Sequence, residues 1–251
     1  MGKIIRLVLV VIVIIGGIYA FSDEESVDKN NQAVSSFDAG DTSDEVVSQL
    51  KEAADKATTK ETRITTLKNL AYLYDSREEE GLARETFEKA LEEAKKDSLD
   101  YHLIKGEIAY LDDDFQQAGD HFRKAHQLNS DDFQVNNTLA LFYIDLEDES
   151  PGVVNYPKAL EHAQKAYQES EPDRKSTAGK NLAIAHYFND DFGQSVELLK
   201  DRDFDNDPSS ALWLGLAYLN QGYQENAQLY LREAKQRGVE IGPDLEDYLQ
   251  Q

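Results

Sequence analysis

Residues Leu99–Asp132 read LDYHLIKGEIAYLDDDFQQAGDHFRKAHQLNSDD. Two amphipathic patterns flank the polar corner Asp112-Asp113-Asp114: Leu103, Gly106, Ala109 and Tyr110 before it, Ala118, Phe122 and Ala125 after it. Steps of three and four residues place each set on one face of a helix. A glycine inside a helix costs roughly 0.5–1 kcal/mol relative to alanine and needs a packing reason. Gly106 and Ala118 supply one, since a small residue on each helix lets two backbones approach as a tight antiparallel hairpin.

The same order of small and large residues recurs on either side. Upstream, Leu67, Leu70, Ala71 and Tyr74 precede Ala83, Phe87 and Ala90. Downstream, Leu139, Ala140 and Tyr143 precede Tyr156, Ala159, Ala163 and Ala166, with an insert at Glu147–Asn155. A fourth set is Leu182, Ala183 and His186 with Phe192, Ser195 and Leu199. The fifth is Leu214, Gly215 and Tyr218, just after Trp213, with Ala227, Leu231 and Ala234. This pattern resembles the tetratricopeptide repeat, a helix-turn-helix unit of about 34 residues. The resemblance covers Ile64 to Gly238 and departs from the family pattern at Ser195 and His186. It implies an all-α, right-handed superhelical solenoid of about five antiparallel helix pairs, with repeats at 64–98, 99–132, 133–172, 176–207 and 208–238.

Composition agrees with helix throughout, with only five prolines in 251 residues. The absence of cysteine excludes disulfide frameworks, thiolate metal sites and cysteine nucleophiles. A net charge of −23 repels nucleic acid and anionic lipid over most of the surface.

The chain opens with Lys3 and Arg6, then the apolar residues Leu7–Ile15, Gly16-Gly17 and Ile18–Phe21, then Asp23-Glu24-Glu25. As a helix, Ile4–Phe21 would be about 27 Å long, close to a hydrocarbon core of about 30 Å. Basic residues before it and acidic residues after it predict a single-pass anchor, 1–22, with its amino terminus in the cytoplasm and the repeats periplasmic or extracytoplasmic. Cleavage as a signal peptide near Ala20 is the competing reading and also exports the repeats. Residues 23–41, rich in Ser, Asn, Asp and Glu, read as an acidic disordered tether. Thr42-Ser43-Asp44-Glu45 resembles a capping box opening a helix over 43–58 that covers the first repeat, and a short helix over 243–251 covers the last. The repeat domain is thus 42–251.

In this family the first helix of each pair lines the concave side, where peptides are held. The matching row lies one position beyond the core stripe. It comprises Lys68, Tyr72 and Asp75; Leu103, Glu107 and Tyr110; Asn137, Leu141 and Ile144; Lys180, Ile184 and Tyr187; and Leu212, Leu216 and Leu219. Two readings of this row stand: a groove for an extended chain or amphipathic helix, or an apolar face buried against adjacent repeats. Tyr110, Ile184 and Tyr187 together favour the groove. Some members grip a terminal carboxylate with Lys and Asn one turn apart; Lys68 and Lys180 stand at the lysine position, but Tyr72 and Ile184 replace the asparagine.

No catalytic set emerges. His102, His121, His126, His162 and His186 are scattered over the repeats and read as packing or surface residues. Asp201, Asp203, Asp205 and Asp207 alternate like a calcium loop, yet Asn206 replaces the turn glycine and Leu212 the bidentate glutamate. With no phosphate-cradling loop, the sequence points to no cofactor and no metal. The expected function is a membrane-anchored scaffold or assembly factor holding a partner's peptide or helix. A self-associating, homo-oligomeric envelope protein and a soluble exported repeat protein are the alternatives.

Overall fold

The computed structural model describes residues 23–38, 40–145, 152–172 and 174–250, and all regular structure among them is helical. The expected membrane span, residues 4–21, lies outside the described residues. No helix among the described residues is long and apolar enough to cross a membrane. The chain divides into two compact units, with the division inside one helix after Leu139.

The first unit contains α1 (Glu24–Asp38), α2 (Asp44–Lys56), α3 (Lys60–Ser76), α4 (Glu80–Glu93), α5 (Leu99–Leu111), α6 (Phe115–Leu128) and the start of α7 (Phe133–Asp145). From α1 to α6 each helix packs on the next, in the manner of a solenoid. Ala33, Val34 and Phe37 of α1 join Leu50, Leu70, Leu73, Phe87 and Ile104 in one core.

The presence of α1 corrects the expectation of a disordered tether. Its buried stripe is Ser26, Asn30, Ala33, Val34 and Phe37, spaced for a helix, but its first two members are polar. Their hydrogen bonds are made inside the fold: Ser26 Oγ donates to the Ala53 carbonyl at 2.7 Å, and Asn69 Nδ2 donates to Asn30 Oδ1 at 2.9 Å. Asp23 fixes the start of the helix from the other side. Its carboxylate accepts from the Thr58 amide at 2.5 Å, the Thr58 hydroxyl at 2.6 Å and the Thr59 amide at 3.1 Å. These bonds overcome the effect of burial and hold Asp23 well below the usual carboxylate range. α1 and α2 therefore form a hairpin of their own ahead of α3. The capping box at α2 is not made: Ser43 is the N-cap without a side-chain bond, and Asp41 Oδ1 accepts from the Ser43 amide at 2.9 Å instead.

The second unit holds the rest of α7, α8 (Tyr156–Glu169), α9 (Lys175–Phe188), α10 (Phe192–Leu199), α11 (Pro208–Asn220), α12 (Gln224–Gln236) and α13 (Pro243–Leu249). Its helices from α8 onward again pack consecutively. At its end Leu245, Tyr248 and Leu249 of α13 cover Ala211, Leu212, Leu231 and Ala234.

A common corner joins α3–α4, α5–α6, α9–α10 and α11–α12. Each is three residues long, and the middle residue has positive φ: Glu78 (58°), Asp113 (57°), Asp190 (59°) and Gly222 (81°). The amide of that residue bonds back three positions and the next amide five, as in Glu78 to Asp75 and Glu79 to Tyr74, both 2.9 Å. This is the Schellman closure of the first helix of each pair. Asp114 and Asp191 then cap the second helix by accepting from the amides of Gln117 and Gln194.

Candidate partner-binding row

In the first unit the row is a buried polar network. Lys68 is 1% exposed, and its Nζ donates to Asp100 Oδ1 at 2.7 Å and to Gln134 Oε1 at 2.9 Å. One turn along α3, the Tyr72 hydroxyl donates to Glu107 Oε1 at 2.8 Å, while its ring stands edge-on to Phe87 at 5.2 Å. Burial raises the Glu107 carboxyl to about 7; Asp75 adds to the rise, and the Tyr72 hydroxyl and the Lys68 charge oppose it. Burial, then the Glu107 charge, pushes the Tyr72 phenol upward as well.

The second unit fills the equivalent row with ions at one end and aromatic rings at the other. Lys180 Nζ donates to Asp207 Oδ1 at 3.1 Å and to Ser209 Oγ at 3.2 Å. Arg202 binds Asp207 Oδ2 through Nε at 3.1 Å and Nη2 at 2.8 Å, and Ser210 Oγ adds a bond of 2.6 Å. Burial favours the neutral acid, but the two cations and the hydroxyl outweigh it and hold Asp207 well below the carboxylate range. Two turns along α9, Tyr187 meets Phe192 and Trp213, each at 5.4 Å, and its hydroxyl accepts from Asn220 Nδ2 at 3.0 Å.

Burial corrects the sequence-derived row. Lys68, Tyr72, Leu103, Asn137, Leu141, Ile144 and Ile184 are enclosed and present no open surface in this structure. The apolar face is wider than one core stripe, so the position beyond the stripe is covered too. Glu107, Tyr110, Lys180, Tyr187, Leu216 and Leu219 are half-buried. Sequence reasoning missed Asp100, Gln134 and Ser209. All three share a signal: each is the second residue of the first helix of its pair, one turn before the row, where a lysine from an earlier repeat reaches.

The acidic corner is used internally. Asp203 accepts from the Asp205 amide and from Asn206, and Asp205 pairs with Arg237 at 3.0 Å. Among the described residues no group of three or more acidic or histidine side chains is placed to hold a metal ion.

These packed pairs, closed by one corner geometry and bridged by lysine from repeat to repeat, agree with a sequence match. Residues 208–237 match the family described as tetratricopeptide repeat. The chain has the architecture of a tetratricopeptide repeat protein. None of the curated proteins matches it. Three solved structures show the breadth of the likeness. The hetero-tetramer Cut9-Hcn1 of the APC/C aligns with a TM-score of 0.60 at 13% identity, over 91% of this chain and 43% of that one. The chain thus spans less than half of that relative. PilW, a widely conserved type IV pilus biogenesis factor, aligns at 0.54 and 18% identity, over 72% of this chain and 80% of that one. PilF of Pseudomonas aeruginosa aligns at 0.53 and 20% identity, over 72% and 79%. At these identities the likeness concerns the fold alone.

Proposed function

We propose that this tetratricopeptide repeat protein is a membrane-anchored interaction scaffold, tethered through residues 4–21, whose row on the second unit holds a segment of a partner protein on the exported side. The observation that carries this reading is that Leu216 and Leu219, with Tyr187, remain half-exposed where the other aliphatic members of the row, Leu103, Leu141, Ile144, Ile184 and Leu212, are enclosed. Apolar and aromatic side chains left part-open on a rigid helix scaffold suit an extended or helical peptide.

The test uses the full chain in detergent-solubilised membranes beside a Leu219→Asp variant with an unchanged melting curve. A partner crosslinked to the wild type and lost from the variant is the expected result. Equal recovery with both removes the row from the account. Recovery of the chain itself alone, with both baits, makes self-association the leading function.

A further inference from the structure

The end of the second unit already receives one amphipathic helix. Leu245, Tyr248 and Leu249 of α13, at helical spacing, pack over Ala211 and Leu212 at the start of α11, and Leu216 joins that cluster. Leu219, one turn further along α11, lies outside the cluster and is half-buried, and Tyr223 just past the helix is 58% exposed. With seven residues against thirteen in α11, α13 covers one end of that helix and leaves the other open.

Charge around the open end has one sign. From Asp203 to Leu231 the chain carries Asp203, Asp205, Asp207 and Glu225 and neither lysine nor arginine. Basic side chains of the surrounding helices are engaged within the fold: Lys180 and Arg202 by Asp207, Lys200 by Glu197, Lys235 by Glu246 and Arg232 by the Leu249 carbonyl. Three acids remain. Asp190 sits where its amide bonds to the Tyr187 carbonyl at 3.0 Å, and the Tyr187 hydroxyl meets Asn220 at the end of α11. Glu225 and Asp247 each adjoin one member of the 3.3 Å bond from the Tyr248 hydroxyl to the Gln224 carbonyl. All three are exposed, and among the described residues none of their carboxylates has a hydrogen bond or ion pair.

We propose, resting on the reading of this row as the partner site, that the partner segment is a basic amphipathic helix. Its aliphatic side chains, three and four residues apart, seat on Leu216 and Leu219 beside Tyr187, as those of α13 seat on the other end. Lysine or arginine on its flanks meets Asp190, Glu225 and Asp247, laying the alkyl stem on the apolar surface. The exposed Tyr223 ring offers a further contact to such a cation. The same carboxylates repel an acidic helix. α13, with Asp244, Glu246 and Asp247, accordingly lies where Lys235 and Arg232 receive it.

The experiment compares two synthetic helical peptides with one leucine pattern, one bearing lysine on its polar face and the other glutamate at the same positions. Binding to the full chain in neutral detergent is read by fluorescence anisotropy, with micelles alone as the blank. The variants are Leu219→Asn, a local triple of Asp190→Asn, Glu225→Gln and Asp247→Asn, and a control triple of Asp28→Asn, Asp55→Asn and Glu92→Gln. The control removes the same charge from exposed acids of the first unit. The expected result is binding of the lysine peptide alone, weakened by added salt. Leu219→Asn and the local triple should each weaken it roughly fivefold or more, and the control triple less than about twofold. The local triple changes only exposed side chains, so it carries the test where Leu219→Asn does not fold. Equal binding of both peptides, lost in Leu219→Asn, would overturn the charge assignment and leave the row as the partner site. Lysine-peptide binding that the local triple weakens no more than the control would reflect the general acidic surface and overturn the proposal. Binding of neither peptide would overturn it too, while the row itself stands or falls by the crosslinking of the Leu219→Asp variant.

Discussion

Lys68 in the first unit and Lys180 in the second occupy the same place in their helix pairs and reach the same place in a later one. Lys68 ends on Asp100 and Gln134, Lys180 on Asp207 and Ser209. One turn further the units part. The first continues with a hydroxyl–carboxyl pair between the enclosed Tyr72 and the half-buried Glu107. The second continues with Ile184 and then Tyr187 against Trp213. A shared backbone scheme fixes which positions meet, and the residue types there decide whether the row becomes internal structure or partly open surface.

The hairpins beneath the rows differ in the same manner, and alanine substitutions measure it. A Cβ at Gly106 would stand 2.3 Å from Phe122 Cε1, with two more ring carbons inside 3.0 Å. Phe122 is 1% exposed, so the rigid ring has nowhere to turn. A Cβ at Gly215 would meet Leu231 Cγ at 2.8 Å and its backbone nitrogen at 3.0 Å, a closeness that smaller shifts relieve. Alanine returns about 1 kcal/mol of helix propensity at either site, against overpacking of roughly 1–3 kcal/mol. Gly106→Ala should therefore destabilise by about 2 kcal/mol net, and Gly215→Ala by about half of that or less. Urea unfolding of the two variants checks the order. Equal stability of Gly106→Ala and wild type would show that α5 and α6 do not approach as described.

A smaller effect separates two half-buried acids. The carboxyl of Glu107 rises to about 7, so between its unfolded value near 4.5 and about 7 the folded chain binds the proton more tightly than the unfolded chain. Stability from this group is fully present below that window, falls as the pH rises through it and is flat above. Asp207 is lowered instead, so its contribution is complete at neutral pH and is lost only on acidification. Glu107→Gln should leave stability near wild type at pH 4.5 and raise it at pH 8, whereas Asp207→Asn should lower it at pH 8. Urea midpoints at both pH values decide this, and a Glu107→Gln variant weaker than wild type at pH 8 would show that the carboxylate is stabilising.

The repeat helices were legible because their core positions are alanine, leucine and aromatic residues at helical spacing, with Gly106 opposite Phe122 as the clearest pair. α1 was not, because Ser26 and Asn30 occupy the stripe where an apolar residue would have marked it. Their partners, the Ala53 carbonyl and Asn69, become visible only once α2 and α3 are folded beside α1. The candidate row was legible as a set of positions, since spacing alone fixes direction. Its exposure was not, because whether Tyr72 faces water depends on Glu107, 35 residues away. The 3.0 Å hydrogen bond between the Nδ1 atoms of His102 and His121 escaped for a related reason: within one helix neither has a histidine three or four residues away.

The smallest effect concerns the corner shared by both units. Gly222 closes α11 in the second unit with a residue that accepts positive φ freely, while Glu78 closes α3 in the first with one that does not. Left-handed backbone costs a residue with a Cβ about 1–2 kcal/mol, and glycine gives back roughly 0.5–1 kcal/mol through the entropy of its unfolded chain. Among the described residues no side-chain hydrogen bond or ion pair of Glu78 compensates, and its amide contact with the Asp75 carbonyl is independent of the side chain. Glu78→Gly should thus stabilise the chain by about 0.5 kcal/mol, and Gly222→Ala should destabilise it by about 1 kcal/mol. Thermal unfolding of the two variants gives opposite shifts on this account. Shifts of the same sign would mean that something other than the backbone sets the residue at this corner, and the equivalence of the two units would fail there first.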